Sequence, residues 1–334
     1  MHSRLTRQHD KYFHWLISES SNQHIIKSSN YYFRFVQLLT PSNFPDYELI
    51  DCGNFEKLER FGKYILIRPE PQAVWDKKLS DHEWEKIAHV KFVPKSSSAG
   101  DWRKLKEMPD RWNVEYPIGS NLAIRNSQFA IQNLKFRLAL TSFKHVGIFP
   151  EQATNWDYIA ESIGMMKTEQ PKVLNLFAYT GGASLAAKAA GADVTHLDSI
   201  KQVVTWSKEN MELSGLKDIR WIVEDALTYV KREVKRGKKY QGIILDPPAY
   251  GNGANGEKWK LEDNINEMMK NVMTLLDDQE CFLVLNTYSL GFSSLIIENL
   301  LSGIPELNTG ELYLHAKSGY KLPLGVFGRF RKVE

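Results

Sequence analysis

From residue 155 onward the chain alternates short apolar runs with longer amphipathic ones, and this alternation restricts the fold more than any other feature. The expected order is a helix near 156–166, a strand over 172–176, a helix over 183–190 and a strand over 194–197. A helix over 201–213, a strand over 219–223, a helix over 226–236 and a strand over 242–245 follow. A helix over 261–276, a strand over 282–285 and a helix over 293–301 complete the series. Strands alternating with helices imply a parallel sheet covered on both faces. Two last extended runs, 311–315 and 325–330, are joined by Lys317-Ser-Gly-Tyr-Lys-Leu-Pro, which reads as a hairpin loop. The sheet is therefore expected to end in an antiparallel pair.

The first half lacks this rhythm. Residues 1–40 hold many Ser, Asn and His, only two acids (Asp10 and Glu19), and one aromatic run, Tyr31-Tyr32-Phe33-Arg34-Phe35. They are expected as a loose N-terminal extension with one strand or helix turn. Residues 41–152 read as a smaller β-rich α+β domain, and 153–334 as the α/β domain. Tyr47-Glu-Leu-Ile-Asp and Tyr64-Ile-Leu-Ile-Arg are strand-like, 79–87 suits a short helix, and Ser96-Ser-Ser-Ala-Gly100 is a loop. Further β character runs over 112–116, 121–125 and 129–149. Trp75, Trp84, Trp102 and Trp112 suit core packing, with base stacking as the alternative.

At 334 residues the chain is long enough for two domains, given about 150 residues per domain. Its longest apolar runs, such as 242–245 and 281–285, fall far short of the ~20 residues that span a bilayer. The polar, charge-broken start does not resemble a secretory signal. Two cysteines, Cys52 and Cys281, make neither a disulfide framework nor a zinc site, which suits a cytoplasmic protein with no metal and no membrane partner. Residues 1–160 carry 22 basic against 18 acidic side chains, and 161–334 carry 21 against 22. Neither half has the bulk basicity of a protein that holds DNA by charge, so a nucleic-acid role must rest on the chemistry of a site.

In open α/β sheets a ligand sits beyond the carboxyl ends of the strands. The first expected strand runs into Asn175-Leu-Phe177-Ala-Tyr179-Thr180-Gly181-Gly182-Ala-Ser, where a helix begins at once. The glycines permit close approach, and the helix start presents free amides. The second strand ends at Asp198, followed by Ser199; an acid here accepts hydrogen bonds from ribose hydroxyls. The third leads into Glu224-Asp225-Ala226, where a carboxylate can accept from an adenine amino group and the next amide can serve a ring nitrogen. Asp225 alone also suits a helix N-cap. The three together describe a nucleoside pocket without a pyrophosphate cradle, which fits S-adenosylmethionine better than NAD.

The fourth strand ends in Asp246-Pro247-Pro248-Ala-Tyr250-Gly251. Two prolines cannot continue a ladder and fix a rigid extended turn. The turn is expected to project Asp246 and the Pro247 carbonyl into the mouth of the pocket, with the Tyr250 ring as a flat face for a planar substrate. Stacking of a base on such a ring contributes about 1–3 kcal/mol.

On these motifs residues 121–334 resemble class I S-adenosylmethionine-dependent methyltransferases. In detail they resemble the bacterial 23S rRNA methyltransferases that include cytosine-C5 and guanine-N7 enzymes. The stretches Leu197-Asp-Ser, Ser207-Lys-Glu-Asn-Met-Glu-Leu-Ser-Gly and Lys144-His-Val-Gly-Ile-Phe-Pro-Glu-Gln152 carry the likeness further. The resemblance implies a Rossmann-like seven-stranded sheet with its last strand antiparallel and S-adenosyl-L-methionine as cofactor. It implies 23S rRNA or the assembling large subunit as partner. It places the methionine and ribose at Phe177, Tyr179, Thr180, Gly181, Gly182, Asp198 and Ser199, and the adenine at Asp225 and Ala226. Asp246, Pro247, Pro248 and Tyr250 would face the acceptor, with Asp246 bordering the cofactor as well.

Three departures stand out. Residues 1–120 give no match to that family's small RNA-binding module, and Tyr250 replaces the usual phenylalanine. The third bears on mechanism: cytosine-C5 enzymes need a thiolate where the fifth strand ends, and here that end reads Leu285-Asn286-Thr287-Tyr288-Ser289. Cys281 starts the strand, and five residues at about 3.3 Å each put it ~17 Å from Asn286. Direct in-line transfer to a base nitrogen is the expectation that remains. A protein or small-molecule methyltransferase and a non-catalytic cofactor-binding protein are the alternatives. The basic run 231–239 is expected as a solvated helix end at the edge opposite the site, and His145 and His196 as packed or exposed side chains.

Overall fold

A computed structural model describes residues 27–28, 31–32, 36–96, 99–119, 132–253, 256–289 and 291–333. The chain divides into two units, Met1–Phe35 and Val36–Glu334. In the first, β1 (Lys27–Ser28) pairs antiparallel with β2 (Tyr31–Tyr32).

The second unit opens with β3 (Gln37–Leu39). A five-stranded sheet follows, from β4 (Tyr47–Gly53), β5 (Glu56–Phe61), β6 (Tyr64–Pro69), β7 (Val90–Pro94) and β8 (Gly100–Lys104) in spatial order, with α1 (Asp81–Ile87) crossing between β6 and β7. Ser80 and Glu83 form a capping box at the start of α1. Helix α1 seats Trp84 on Leu58 and Ile67. The four tryptophans expected in the core are there: Trp84 and Trp112 are buried, and Trp75 and Trp102 pack on the core with their indole N–H groups on the carbonyls of Cys52 and Thr141.

The hairpin of β9 (Arg111–Ile118) and β10 (Gln132–Ala139) then leads to the 3-10 turn Pro150–Gln152 and α2 (Ala153–Gly164). Of the expected β run over 129–149, residues 129–131 lie outside the described residues and the rest is strand only in β10; the run expected over 121–125 also lies outside them.

From there the alternation is as the sequence reads. It comprises β11 (Lys172–Leu176), α3 (Gly182–Ala189), β12 (Asp193–Asp198), α4 (Lys201–Leu213), β13 (Arg220–Val223), α5 (Ala226–Lys235) and β14 (Gly242–Leu245). The short pair β15 (Tyr250–Asn252) and β16 (Lys258–Lys260) precedes α6 (Leu261–Leu275), β17 (Cys281–Thr287), α7 (Ser294–Leu300), β18 (Asn308–His315) and β19 (Lys321–Lys332). The sheet order is β13-β12-β11-β14-β17-β19-β18-β3. Every residue of β14 and β17 is buried, as befits strands covered on both faces. Helix α6 buries Leu261, Ile265, Met268, Met269, Val272 and Leu275, a stripe of helical period.

The closing antiparallel pair is as expected: the last strand, β19, is antiparallel to both neighbours, and β18 runs with the parallel strands. One detail differs from the expected seven-stranded sheet. An eighth strand joins: β3, inside the expected loose extension, pairs parallel with β18 through Gly310, Glu311 and Leu312. Its partner lies some 270 residues away, so no local pattern could announce it.

The edge of β10 is sealed by α4, where Asn210 Oδ1 and Ser214 Oγ accept the backbone N–H groups of Arg137 and Lys135. The two sheets share one unit, tied by the Lys317 N–H to the Leu49 carbonyl and by Trp75 against Tyr320. Among the described residues no helix is long and apolar enough to cross a membrane.

Candidate functional site

The parallel order sets the strand ends Asp198, Glu224-Asp225, the loop after β11, Asp246 and Asn286 along one carboxyl edge. A cleft of about 890 Å³ opens there. It is lined by Phe177, Tyr179, Asp198, Ser199, Asp225 and Ala226, and also by Asp246, Pro247, Pro248 and Tyr250. Thr180, Gly181 and Gly182 line a smaller adjoining hollow of about 60 Å³. The two spaces share Phe149, Gln152, Phe177, Tyr179, Asp246 and Asn286, so the structure brings all the expected site residues to one place.

The loop after β11 is wound tightly. Phe177 and Tyr179 both hold positive φ, 55° and 47°, a strained state for residues with a Cβ. Asp198 helps to fix it: its carboxylate accepts from the backbone N–H groups of Tyr179 (2.9 Å) and Ile200 (3.0 Å). Burial pushes the Asp198 carboxyl up, and those backbone amides pull against it. Gly181 caps α3 at φ 94°, and a Cβ on Gly182 would stand 2.5 Å from the Trp156 ring. The pair thus satisfies two separate demands, left-handed backbone and close helix packing.

Segment 144–152 roofs this loop. Thr180 Oγ1 donates to the Gly147 carbonyl (2.6 Å), and Phe149 packs on Tyr179 with ring centres 5.2 Å apart. A Cβ on Gly147 would meet the Trp206 ring at 2.4 Å.

Asp225 does cap α5, accepting the Thr228 N–H at 2.8 Å. The neighbouring Glu224 is held by both Nη atoms of Arg232, at 2.5 and 2.7 Å.

The Asp246-Pro-Pro turn is braced from outside the motif. Trp259 Nε1 donates to the Pro248 carbonyl (2.7 Å), and the same indole packs on Phe177 with ring centres 4.8 Å apart. Tyr250 is 69% exposed and lines the cleft, so its ring is open to a docking partner. Asp246 is clasped by two amides: Gln152 Nε2 donates to Oδ2 (3.1 Å) and Asn286 Nδ2 to Oδ1 (2.8 Å). Asn155 in turn fixes Gln152 by donating to its Oε1 at 2.8 Å. Burial pushes the Asp246 carboxyl up to about 6, with the Asn286 amide acting against the rise.

Motif reading did not single out Gln152, Asn286 or Glu151, nor the wall contributed by the five-stranded sheet. That wall holds Lys57, Arg68 and Glu70 in the cleft lining. Arg68 bonds the fully buried Glu59 through Nε (2.8 Å) and Nη2 (2.7 Å). Glu70 takes Lys57 at 3.2 Å and the Tyr288 hydroxyl at 2.5 Å, which joins the wall to the end of β17. The sequence offers little signal for it: Lys57 and Glu59 sit in the charge-rich β5, Arg68 near the end of β6 and Glu70 just after it.

Other candidates fall away from the chemistry. His196 is buried between the hydroxyls of Ser184 (3.0 Å) and Ser207 (3.3 Å), and burial lowers its ring to about 3. It is a packed, neutral imidazole. His145 does line the cleft, and burial together with Arg68 and Lys144 lowers it to about 3. Cys281 opens β17 opposite Lys332, at the far end from Asn286, and is buried. Cys52 is buried in β4 with its thiol pushed up to about 12 by burial. In the basic run, Lys231, Arg232, Arg236 and Lys239 pair with Glu267, Glu224, Glu233 and Asp278.

A family model described as S-adenosylmethionine-dependent methyltransferase matches residues 109–308, which hold every one of the cleft's strand-end acids. The chain belongs to the S-adenosylmethionine-dependent methyltransferases. A crystal structure of a methyltransferase of this kind from Agrobacterium tumefaciens is 36% identical, with TM-score 0.77 over 88% of this chain and 93% of that one. Ribosomal RNA large subunit methyltransferase K/L of Shewanella frigidimarina is 34% identical over 146 residues. Its counterpart in Pseudoalteromonas atlantica is 30% identical over 145. These matches span 42% of this chain and 20% of each of those proteins.

The residues present fit the cofactor of the family. The strained loop, the glycine pair and a carboxylate with lone pairs left beside the cleft are what a nucleoside with a short charged tail requires. When bound, S-adenosylmethionine supplies an electrophilic methyl group on a sulfonium.

Proposed function

We propose that this methyltransferase modifies a nitrogen of a base in large-subunit ribosomal RNA by direct in-line transfer. The observation that carries this reading is the Asp246 carboxylate clasped by Gln152 and Asn286 beside the cleft. Such a group orients a nitrogen by accepting its N–H, and its two amide partners fix the carboxylate in advance. Covalent activation of a pyrimidine would need a thiolate, and neither cysteine lines the cleft. The names of the K/L relatives support ribosomal RNA as the acceptor, and the open Tyr250 ring suits a flipped base. Asp198 would hold the ribose, Asp225 and Ala226 the adenine, and the loop 177–182 the methionine. A chain with this substrate works in the cytoplasm.

The test uses purified protein, radiolabelled S-adenosylmethionine and RNA from a strain lacking this gene. Label should enter large-subunit RNA, and nuclease digestion should release an N-methylated base. A C-methylated pyrimidine would overturn the mechanism. Label found only in protein or in small molecules would overturn the substrate.

A further inference from the structure

The wall opposite Asp246 contains a carboxylate whose role the Asp246 clasp does not explain. Glu151 lies in the turn Pro150–Gln152, is 6% exposed, and lines the cleft. Its Oε2 is buried with no hydrogen-bond partner among the described residues. Leaving a buried acceptor without a donor is costly, so the position needs a reason. The other carboxylates of the wall are taken: Glu59 by Arg68 and the Tyr47 hydroxyl, Glu70 by Lys57 and Tyr288. The next residue, Gln152, holds Asp246, so Glu151 and the Asp246 clasp border one cleft from different sides. Each Asp246 oxygen receives one amide hydrogen and keeps a lone pair to orient the acceptor, whereas Glu151 Oε2 receives none from the described residues and is the oxygen left to take a proton.

We infer that Glu151 is a catalytic residue that receives the N–H of the methyl acceptor and takes its proton during transfer. The inference rests on the reading of this chain as a nitrogen methyltransferase. The acceptor nitrogen's lone pair forms the new C–N bond. The C–S bond breaks, and its electron pair stays on sulfur as a thioether. The N–H proton passes to the Glu151 carboxylate, its bonding pair remains on nitrogen, and the proton then leaves to solvent. The ligand class follows: the methylated nitrogen carries at least one hydrogen, as in an exocyclic amine or a ring N–H.

The surroundings bear on the pH at which this group works. Around it stand Tyr47 from β4, Lys57 and Glu59 from β5, Arg68 from β6 with Glu70 just after it, and Tyr288 after β17; Lys144 and His145 of the roof and Asp246 after β14 line the same cleft. Burial pushes the carboxyl up to about 7, against the pull of Lys57. His145 stays neutral, and burial with the charge and hydrogen bond of Glu70 pushes Tyr288 up, so neither titrates in the same range; Asp246, pushed up to about 6, titrates just below it. The base form of Glu151 gains ground as pH rises, so transfer should rise through about pH 7.

Glu151→Gln keeps the shape and removes the base. Transfer is read in a single turnover, from labelled S-adenosylmethionine into an extract of the gene-lacking strain, with the label then sorted into RNA, protein and small molecules. S-Adenosylhomocysteine affinity is measured by calorimetry on both proteins, and a carboxylic C=O band is followed by infrared in the free proteins. The expected result for Glu151→Gln is about a 100-fold loss of transfer with a flat pH profile near 7. Affinity for S-adenosylhomocysteine stays within threefold, and the band titrating near pH 7 disappears while that of Asp246, near 6, remains. Glu151→Asp should recover part of the rate. Transfer within threefold of the parent at all pH values, two carboxylic bands as in the parent, or a parallel fall in S-adenosylhomocysteine affinity overturns the role of Glu151. Label in protein with the same Glu151→Gln loss overturns the RNA reading alone.

Discussion

The two halves of the cleft are built differently. The half with Asp198, Asp225 and the loop 177–182 comes from one continuous stretch, in which each ligand group sits at a strand end and is fixed by backbone amides. The half with Lys57, Arg68, Glu70, Glu151 and Tyr288 is assembled from two sheets and a roof segment, and is fixed by charge on charge. A pocket for an invariant cofactor can be made from local turns. In the proposed function a pocket for a particular acceptor needs a wall, and the five-stranded sheet would supply it.

That contrast can be broken at several points. Asp246→Asn should lower methyl transfer about a thousandfold while S-adenosylhomocysteine binding changes little, as removal of an acceptor-facing carboxylate implies. Equal losses in transfer and binding would move Asp246 to the cofactor half. Arg68→Met leaves the fully buried Glu59 without its guanidinium and should lower unfolding free energy by about 3–5 kcal/mol in urea titrations. A loss under about 1 kcal/mol would mean that the wall is not held by charge. Asp198→Ala should weaken S-adenosylhomocysteine about 50-fold in calorimetry, from lost hydrogen bonds to the ribose and a loosened loop. Its effect on the transfer step at saturating cofactor should be small. Lys235→Glu with Lys238→Glu should change transfer less than twofold, since the run lies at the opposite edge; a larger drop would make it a phosphate contact.

The legibility of the sequence follows the same division. Strands β11 and β14 were readable end to end because a strand buried on both faces is a short apolar run with polar ends. The residues of the cofactor half were readable because glycines, strand-end acids and a double proline each carry a local physical meaning. Segment 140–149 was misread as strand because Val146 and Ile148 are buried as a strand's would be, yet they roof the loop with no ladder. Gln152 and Asn286 were missed because a primary amide has no pattern of its own; only the fold brings residue 286 to 246 and 152. Glu151 sat in plain view within Lys144–Gln152, but its meaning depends on a partner being absent, which only coordinates reveal.

In the proposed function this cleft transfers a methyl group to a nitrogen of ribosomal RNA without a covalent enzyme intermediate. Mass spectrometry of nucleosides from large-subunit RNA of the gene-lacking strain, after one turnover with the parent protein and with Asp246→Asn, tests this at the product. One new N-methylated base should form with the parent and be lost with the variant. A new C5-methylated pyrimidine, or no new nucleoside while methyl groups appear on protein, would contradict it.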